Sequence, residues 1–238
     1  MKNFESIQSL YQTLGIFTET YRYLRRAKKE EDIHILKTEW AREVLQRLKL
    51  NLQIHHQASS QPSILFLGNH ISYLDIPVLL QSVPRLSFVA KQEVSSWPIF
   101  GDAARQIDTV FVKRENGDSR KSARQAIHSA LQAGKRVVIF PSGTTCINES
   151  KPWRKGAFEI AKEQDVWIQP FRISYQPLRR VAYIDQDFFP THLYGLFCED
   201  SLQAQIEFHP PVKVDNPEVD CKRWQDWSRE VPAHFLSC

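Results

Sequence analysis

The stretch ILFLGNHISYLD, residues 64–75, decides how this sequence is interpreted. Its first four residues are apolar and predict a short buried strand. His70 and Asp75 follow that strand directly and lie five positions apart. The sequence therefore predicts a strand-to-helix junction that carries two titratable side chains.

Outward from this stretch, short apolar runs alternate with helical segments, a pattern typical of α/β domains. Most of the runs are too apolar for half-exposed strands, so they predict a buried sheet. The strand candidates are residues 64–67, 86–90, 109–112, 137–140, 166–171, 181–184 and 205–209. A helix over residues 119–133 should end at Gly134, and the N-cap and N1 pair Asn216 and Pro217 should begin a last helix that ends near Arg229. We expect an α/β fold with a mixed, largely parallel central sheet flanked by helices.

An N-terminal two-helix segment, residues 1–52, precedes the α/β domain of residues 53–238. A second helix is expected over residues 36–50. The first helix has one apolar stripe, formed by Ile7, Leu10, Tyr11, Leu14, Phe17, Tyr21 and Leu24. Basic residues follow at positions 25, 26, 28 and 29, and acidic residues at positions 30–32. The stripe fits either a helix at a membrane interface or a helix packed on the core with a solvated end.

Composition and charge exclude several classes of protein. The 238 residues include 31 basic and 27 acidic side chains, a formal net charge of +4. Such a mild excess suits an anionic substrate or membrane surface, whereas nucleic-acid binding needs a denser basic patch. The four cysteines have no zinc-site spacing, so we expect free thiols in a reducing compartment. With a polar N-terminus and no apolar run of about 18 residues, we expect a cytoplasmic protein that associates peripherally with a membrane.

His70 and Asp75 suggest acid–base chemistry. Five residues along one ideal helix would point them about 140° apart, so they can meet only if His70 lies in the loop and Asp75 in the first helical turn. Asp75 would then fix the tautomer of the imidazole and leave its other nitrogen free to accept a proton from a hydroxyl. No serine nucleophile accompanies the pair. The hydroxyl would therefore belong to a substrate, and the reaction would be transfer to an acceptor.

Further sequence blocks follow in a fixed order, and with them the chain resembles the glycerolipid acyltransferase family that includes the 1-acyl-sn-glycerol-3-phosphate acyltransferases. The resemblance covers about residues 40–175. Residues 69–75 match the family's first block, NHxxxxD, and VKR at 112–114 matches the second. FPSGT at 140–144 matches the third block, usually FPEGTR, and Pro170 matches the fourth. Between and after these blocks, matching residues are Lys91, Pro98, Gly101, Lys155, Gly156 and Ala157.

This resemblance implies roles for the matching residues. His70 would act as general base on the acceptor hydroxyl, which attacks the thioester of acyl-CoA or acyl-carrier protein, and Asp75 would orient the ring. No metal or other cofactor is implied. Arg114 resembles the family's phosphate-binding arginine, and Lys91 is a second candidate for the same anion; the alternative for each is a surface cation in a solvated ion pair. The remaining candidates for acceptor or phosphate binding are Ser142, Gly143, Thr144 and Lys155.

The third block departs from the family pattern, because Ser142 replaces the usual glutamate and Thr145 the usual arginine. Serine keeps a hydrogen-bonding group but loses the charge. The expected acceptor is 1-acylglycerol-3-phosphate, giving phosphatidic acid, with Lys113, Arg154 or Lys155 supplying the missing cation. The departure keeps two alternatives open: a lysolipid without a phosphomonoester, such as lyso-ornithine lipid, and a non-catalytic lipid-binding member.

Two further features bear on the substrate. Pro98, Gly101 and the apolar residues Trp97, Ile99 and Phe100 either line a tunnel for an acyl chain or pack in the core. The Gly-x-Ser-x-Gly elbow expected of a lipase or thioesterase is absent from the sequence. The sequence therefore favours acyl transfer over hydrolysis.

Overall fold

A seven-stranded sheet lies at the centre of the part of the chain that the computed structural model describes, which is residues 2–27, 32–83, 85–96, 100–106, 109–112, 117–148, 150–184 and 186–230. The strands are β1 (Leu50–His55), β2 (Ile64–Gly68), β3 (Leu86–Lys91), β4 (Val110–Val112), β5 (Arg136–Ile139), β6 (Ile168–Gln176) and β7 (Leu202–Phe208). Their order is β1-β7-β6-β2-β5-β3-β4, with β6 and β7 antiparallel and every other neighbouring pair parallel. The expected α/β fold with a mixed, largely parallel sheet is confirmed.

Helices flank this sheet. They are α1 (Lys2–Ala27), α2 (Ile33–Arg47), α3 (Asp75–Ser82), α4 (Phe100–Gln106), α5 (Gly117–Gln132), α6 (Gly156–Glu163), α7 (Leu178–Val181), α8 (Phe189–Leu196) and α9 (Pro217–Arg229), and Gln92–Ser96 forms a 3-10 helix. The helix predicted over residues 119–133 corresponds to α5, and Gly134 follows it with a φ of 77°. The Asn216 side chain caps α9 by accepting hydrogen bonds from the backbone N–H groups of Glu218 and Val219, as the sequence predicts.

Strand β2 lies between the two layers of the core. Ile64 and Phe66 are buried in the cluster that includes α2 and α3 residues, while Leu65 and Leu67 are buried in the cluster with α5 and α6. This division follows the two-residue period of a strand. This burial on both faces explains why β2 is apolar throughout. Because β2 is the fourth of the seven strands in the sheet order, its end lies near the middle of the sheet.

The strand predicted over residues 181–184 is wrong. Helix α7 ends at Val181, and residues 182–184 belong to no strand. Val181 and Ala182 are fully buried, and the Tyr183 N–H donates to the Ile71 carbonyl at 3.0 Å. The apolar run is explained by packing against the loop that carries His70.

The C-terminal end of the second predicted helix, residues 36–50, is also corrected. Helix α2 stops at Arg47, and Lys49 has a φ of 50°, which interrupts the helical path. Leu50 then begins β1, an edge strand in which apolar and polar residues alternate. This strand pairs with β7 and contains the predicted boundary between residues 52 and 53.

Helix α1 presents two different faces. Ile16 is buried in the core, and Phe17 packs against the core and against Phe189 with ring centroids 6.1 Å apart. Leu10 and Leu14, in contrast, are exposed. Among the described helices, none has the length and apolar character needed to cross a membrane.

Candidate active site

The site is built at the end of β2, where the chain leaves the sheet. Gly68 lies opposite Phe171 of β6, and a Cβ atom at Gly68 would come within 2.4 Å of the Phe171 ring. Only glycine fits this close approach. The buried Asn69 side chain then donates to the Ile173 carbonyl at 2.8 Å and accepts from the Ile173 N–H at 2.7 Å. These contacts fix the loop that follows against β6.

The structure brings His70 and Asp75 into contact. His70 Nδ1 lies 2.7 Å from Asp75 Oδ2, with His70 in the loop and Asp75 as the first residue of α3. The same Oδ2 atom accepts hydrogen bonds from the backbone N–H groups of Ile71 at 2.7 Å and Ser72 at 3.2 Å. Since Asp75 is fully buried, these donors compensate for its lost hydration.

Tyr175 is a member of the site that sequence reasoning missed. Its hydroxyl donates to the other carboxylate oxygen, Asp75 Oδ1, at 2.7 Å, although the two residues are 100 positions apart. Burial, together with the nearby Asp75 carboxylate, raises the pKa of the Tyr175 hydroxyl well above its usual value. Tyr175 is therefore a proton donor in this contact. The predicted strand ended at residue 171, whereas β6 continues to Gln176 and carries Tyr175 beneath the loop.

The His70 ring faces the third sequence block. It stacks on Phe140 with ring centroids 3.9 Å apart and an angle of 10° between the planes, and the His70 carbonyl accepts from the Cys146 N–H at 2.8 Å. Within the described part of the chain, Nε2 has no hydrogen-bond partner, and 20% of the side chain is exposed. Because the carboxylate at Nδ1 favours a proton there, Nε2 can serve as the basic nitrogen.

A second histidine supports the loop from the outside. The Tyr73 hydroxyl lies 2.9 Å from His192 Nδ1, and His192 Nε2 lies 3.0 Å from the Ala182 carbonyl oxygen. The carbonyl can only accept, so Nε2 carries the proton and Tyr73 donates to Nδ1. Burial lowers the pKa of His192 and raises that of Tyr73. His192 is therefore held neutral in this contact.

The third block forms a tight turn after β5. The buried Ser142 hydroxyl donates to the Thr144 carbonyl at 2.8 Å, so the side chain is used within the turn. Gly143 has a φ of 72° and donates its N–H to the Phe140 carbonyl at 3.0 Å. The side chain of Thr144 is exposed. The turn therefore places no charge where the family's usual glutamate would stand.

A groove of about 620 Å³ begins at Phe140 and Pro141 and runs between α5, α6 and the ends of β3, β4 and β5. Its apolar lining includes Val89, Val112, Ile127, Ile139, Trp153 and Ile160. Three cations also line it. Arg124 pairs with Glu159 at 2.8 Å and Glu163 at 2.6 Å, and Lys155 lies 3.5 Å from Glu218. Arg154 is exposed, and no acidic partner for its side chain occurs among the described residues.

Several predicted residues fall outside this description. Lys113 and Arg114 lie outside the described residues, as do Trp97, Pro98 and Ile99. For Lys91 and Phe100 the backbone is described, as the last residue of β3 and the first of α4, but the side chains are not. Gly101 is buried in α4. The roles predicted for Lys91 and Arg114 stay predictions.

The arrangement is suited to removing a proton from a bound hydroxyl. Asp75 accepts a hydrogen bond from Nδ1 of the imidazole, and among the described residues Nε2 has no hydrogen-bond partner and no serine, threonine or cysteine side chain bonds to the ring. An α/β enzyme with such a pair acts on a nucleophile supplied by a substrate, as in group transfer.

The chain belongs to the acyltransferase family, since the family model described as Acyltransferase matches residues 49–174. The lyso-ornithine lipid O-acyltransferase of Pseudomonas aeruginosa is 32% identical over 178 residues, which are 73% of this chain and 68% of that protein. The 1-acyl-sn-glycerol-3-phosphate acyltransferase of Neisseria meningitidis serogroup B is 28% identical over 177 residues, 71% of this chain and 69% of that protein. The family expected from the sequence blocks is confirmed, and the protein is an acyltransferase.

The fold has a counterpart among solved structures. The crystal structure of the 1-acyl-sn-glycerophosphate acyltransferase from Thermotoga maritima matches with a TM-score of 0.68 over 94% of this chain and 95% of that chain. At 17% sequence identity, this likeness concerns the fold alone.

Proposed function

We propose that this acyltransferase moves a fatty acyl group from an acyl thioester, either acyl-CoA or acyl-carrier protein, to the hydroxyl of a lysolipid. The observation that carries the proposal is the 2.7 Å contact between His70 Nδ1 and the buried Asp75, while Nε2 has no hydrogen-bond partner in the part of the chain that the structure describes. Both relatives described above are named as acyltransferases that act on lysolipids, which supports this substrate class.

The proposed step needs no covalent enzyme intermediate. His70 Nε2 takes the proton of the acceptor hydroxyl while the hydroxyl oxygen attacks the carbonyl carbon of the thioester. The carbon–sulfur bond then breaks, and the leaving thiolate receives the proton from His70. The products are an ester and a free thiol. The intact contact between His70 and Asp75 favours this reaction over a non-catalytic lipid-binding role.

For the acceptor, 1-acylglycerol-3-phosphate is our first candidate. Its phosphate needs a cation, and Arg154 lines the groove next to the third block. The backbone N–H of Arg154 donates to the Pro141 carbonyl at 3.0 Å, which fixes the position of the residue beside that block. Guanidinium groups bind phosphate through two parallel hydrogen bonds. Arg114 remains a further candidate from the sequence.

A second acceptor, lyso-ornithine lipid, is favoured by the third block. The Ser142 hydroxyl donates to the Thr144 carbonyl, and Thr145 occupies the position at which the family pattern usually has arginine. The block therefore lacks the charged pair typical of the family pattern. The relative from Pseudomonas aeruginosa is named for this acceptor.

The test is an assay of the purified protein with labelled acyl-CoA and, separately, labelled acyl-carrier protein, against a panel of lysolipids. The panel contains 1-acylglycerol-3-phosphate, lyso-ornithine lipid and lysophosphatidylcholine, and His70→Ala is the matched control. We expect an esterified lipid and free thiol in equal amounts, and neither with the control. Thiol release without a lipid ester would indicate hydrolysis and contradict the proposal.

We further propose that the protein binds membranes peripherally through the outer face of α1. Leu10 and Leu14 are 53% and 57% exposed, and Tyr11 is 70% exposed beside them. Arg25 lies in the last turn of the same helix. Exposed apolar residues followed by basic ones are typical of helices that lie in a bilayer interface.

Vesicle sedimentation tests the membrane proposal. Changing Leu10 and Leu14 together to Ser should weaken binding to anionic vesicles while leaving the melting temperature nearly unchanged. Ile16→Ser is the matched control, because Ile16 is buried and its loss should lower the melting temperature by the cost of a core defect. Undiminished vesicle binding by the double variant would contradict this role for α1.

A further inference from the structure

The Asp75 carboxylate has two oxygens with different surroundings. Oδ2 receives donors from its own loop, the His70 ring and the backbone N–H groups of Ile71 and Ser72. Oδ1 receives its side-chain hydrogen bond from Tyr175, which stands on β6. The loop therefore supplies the three donors to Oδ2, and the sheet supplies the donor to Oδ1.

We propose that Tyr175 is a positioning residue for the acyl transfer, acting through Asp75 on the orientation of His70. This inference rests on the proposed function and extends it to a residue outside the sequence blocks. Because the Tyr175 side chain is buried, we assign it no contact with the substrate. Its effect is to hold the carboxylate in the rotamer that presents Oδ2 to His70 Nδ1.

The physical reason is the cost of an unpaired buried oxygen. Asp75 is fully buried, so without the Tyr175 hydroxyl its Oδ1 atom would lose its donor and have no water to replace it. Without that donor the carboxylate would no longer be held in a single rotamer, so the direction in which Oδ2 is presented to His70 Nδ1 would be less well defined. Because Tyr175 stands on a central strand, it is a more rigid support than a loop residue would be.

The hydroxyl also affects the charge that His70 experiences. Donation to Oδ1 withdraws negative charge from the carboxylate, which weakens its pull on the proton of the imidazole. Among the described residues, the groups that contact the carboxylate are the His70 ring, the Tyr175 hydroxyl and two backbone N–H groups. Removing the hydroxyl should therefore favour the charged imidazolium.

The experiment is to measure kcat and KM of Tyr175→Phe across pH. We expect kcat to fall by about tenfold, as expected for loss of a hydrogen bond to a charged group, with little change in KM. The acid limb of the kcat/KM profile should move to higher pH by about half a unit or more, because the base is protonated more readily. A purely structural tyrosine would lower the amount of folded enzyme without moving this limb.

Tyr73→Phe is the matched control. It also removes a partly buried tyrosine hydroxyl at the same loop, but that hydroxyl bonds to His192 and not to Asp75. Its acid limb should stay with that of the wild type. A Tyr175→Phe profile with the acid limb of the wild type would overturn the proposal.

A second variant covers the case in which Tyr175→Phe does not fold. Site-specific replacement of Tyr175 by difluorotyrosine keeps the shape and strengthens the hydroxyl donor, so the acid limb should move in the opposite direction, to lower pH. The imidazole nitrogen NMR signals of His70 should follow the same shifts without any substrate. Unmoved signals refute the role of Tyr175, whereas a wild type inactive towards every acceptor refutes the proposed function instead.

Discussion

The first and third sequence blocks follow the ends of two neighbouring parallel strands, β2 and β5, yet they are built in opposite ways. In the first block, the charge of Asp75 is buried and bonded by donors from the loop and from β6. In the third block, Ser142 bonds within its own turn, and Arg154 beside it is exposed. The first region is suited to holding the imidazole of His70 in one orientation. The second, with an exposed cation, is suited to binding different ligands.

Physical chemistry explains why the two regions should respond differently to mutation. A buried charge that loses a donor cannot recover it from water, so changes in the first block are costly. An exposed cation is hydrated and screened by salt, so its loss changes the stability of the fold little and mainly weakens the binding of a ligand that it contacts. Substitutions in the two regions should therefore differ in the size and in the kind of their effects.

The largest expected effect is on catalysis. His70→Ala should lower kcat at least about 100-fold, the usual contribution of a general base, while the protein stays folded because the buried Asp75 carboxylate keeps its donors from Ile71, Ser72 and Tyr175. Ser142→Ala in the third block should cost less than about tenfold, since it removes one neutral hydrogen bond. Steady-state kinetics and circular dichroism measure both. Similar losses for the two variants would remove the distinction between the regions.

Asp75→Asn sharpens the same contrast through stability. The four groups that contact Asp75 are all donors, and an amide offers them one oxygen and two N–H groups of its own. If the amide oxygen keeps the three loop donors, the amide NH2 group faces Tyr175, whose hydroxyl must turn from donor to acceptor and leave its own buried hydrogen without this partner. We expect a clear loss of thermal stability, on the order of 1 to 3 kcal/mol, and an activity loss that is severe but smaller than that of His70→Ala. An unchanged melting temperature would contradict the donor arrangement.

The first block shows how far sequence reasoning reaches. The five-residue spacing of His70 and Asp75 at a strand-to-helix junction is local information, and their contact follows from it. Tyr175 could not be found in this way, because its place beside Asp75 depends on the register of β2 and β6. The signal that extends β6 was present in the apolar Ile173 and Tyr175, which continue the buried side of the strand.

The wrong strand at residues 181–184 has a related cause. Apolar composition predicts burial but does not say what covers the segment. Val181 and Ala182 are buried, yet the neighbouring backbone bonds to the Ile71 carbonyl and not to a strand of the sheet. Conversely, β1 was missed although Leu50, Leu52 and Ile54 alternate with polar residues, because the helical pattern before it was continued too far.

A smaller effect is expected for Arg154 in the groove. If it binds the phosphate of the acceptor, Arg154→Ala should raise the KM for 1-acylglycerol-3-phosphate by about tenfold, as expected for loss of a charge-assisted hydrogen bond, with little change in kcat. Lys155→Ala is the matched control, because its ammonium already lies 3.5 Å from Glu218. A KM for the Arg154 variant that equals the wild-type value would assign phosphate binding to other residues, Arg114 first.

The smallest effect concerns pH and returns to the loop of the first block. Burial lowers the pKa of His192 below its usual 6.5. Between the lowered pKa and about pH 6.5, the unfolded chain therefore binds more protons than the folded protein. Stability then rises with pH, is complete above about pH 6.5, and is lost as the pH falls below that value. Protonation of Nδ1 would also remove the acceptor of the Tyr73 hydroxyl, so that this hydroxyl must turn its hydrogen away in the contact that supports the loop between His70 and Asp75. Hydrogen exchange at the Ile71 and Ser72 amides should therefore accelerate towards pH 5.5 by more than at Gly143, after correction for the intrinsic pH dependence of exchange. His192→Gln, which cannot gain this proton, should reduce that difference, and a persistent difference would assign the pH response to another group.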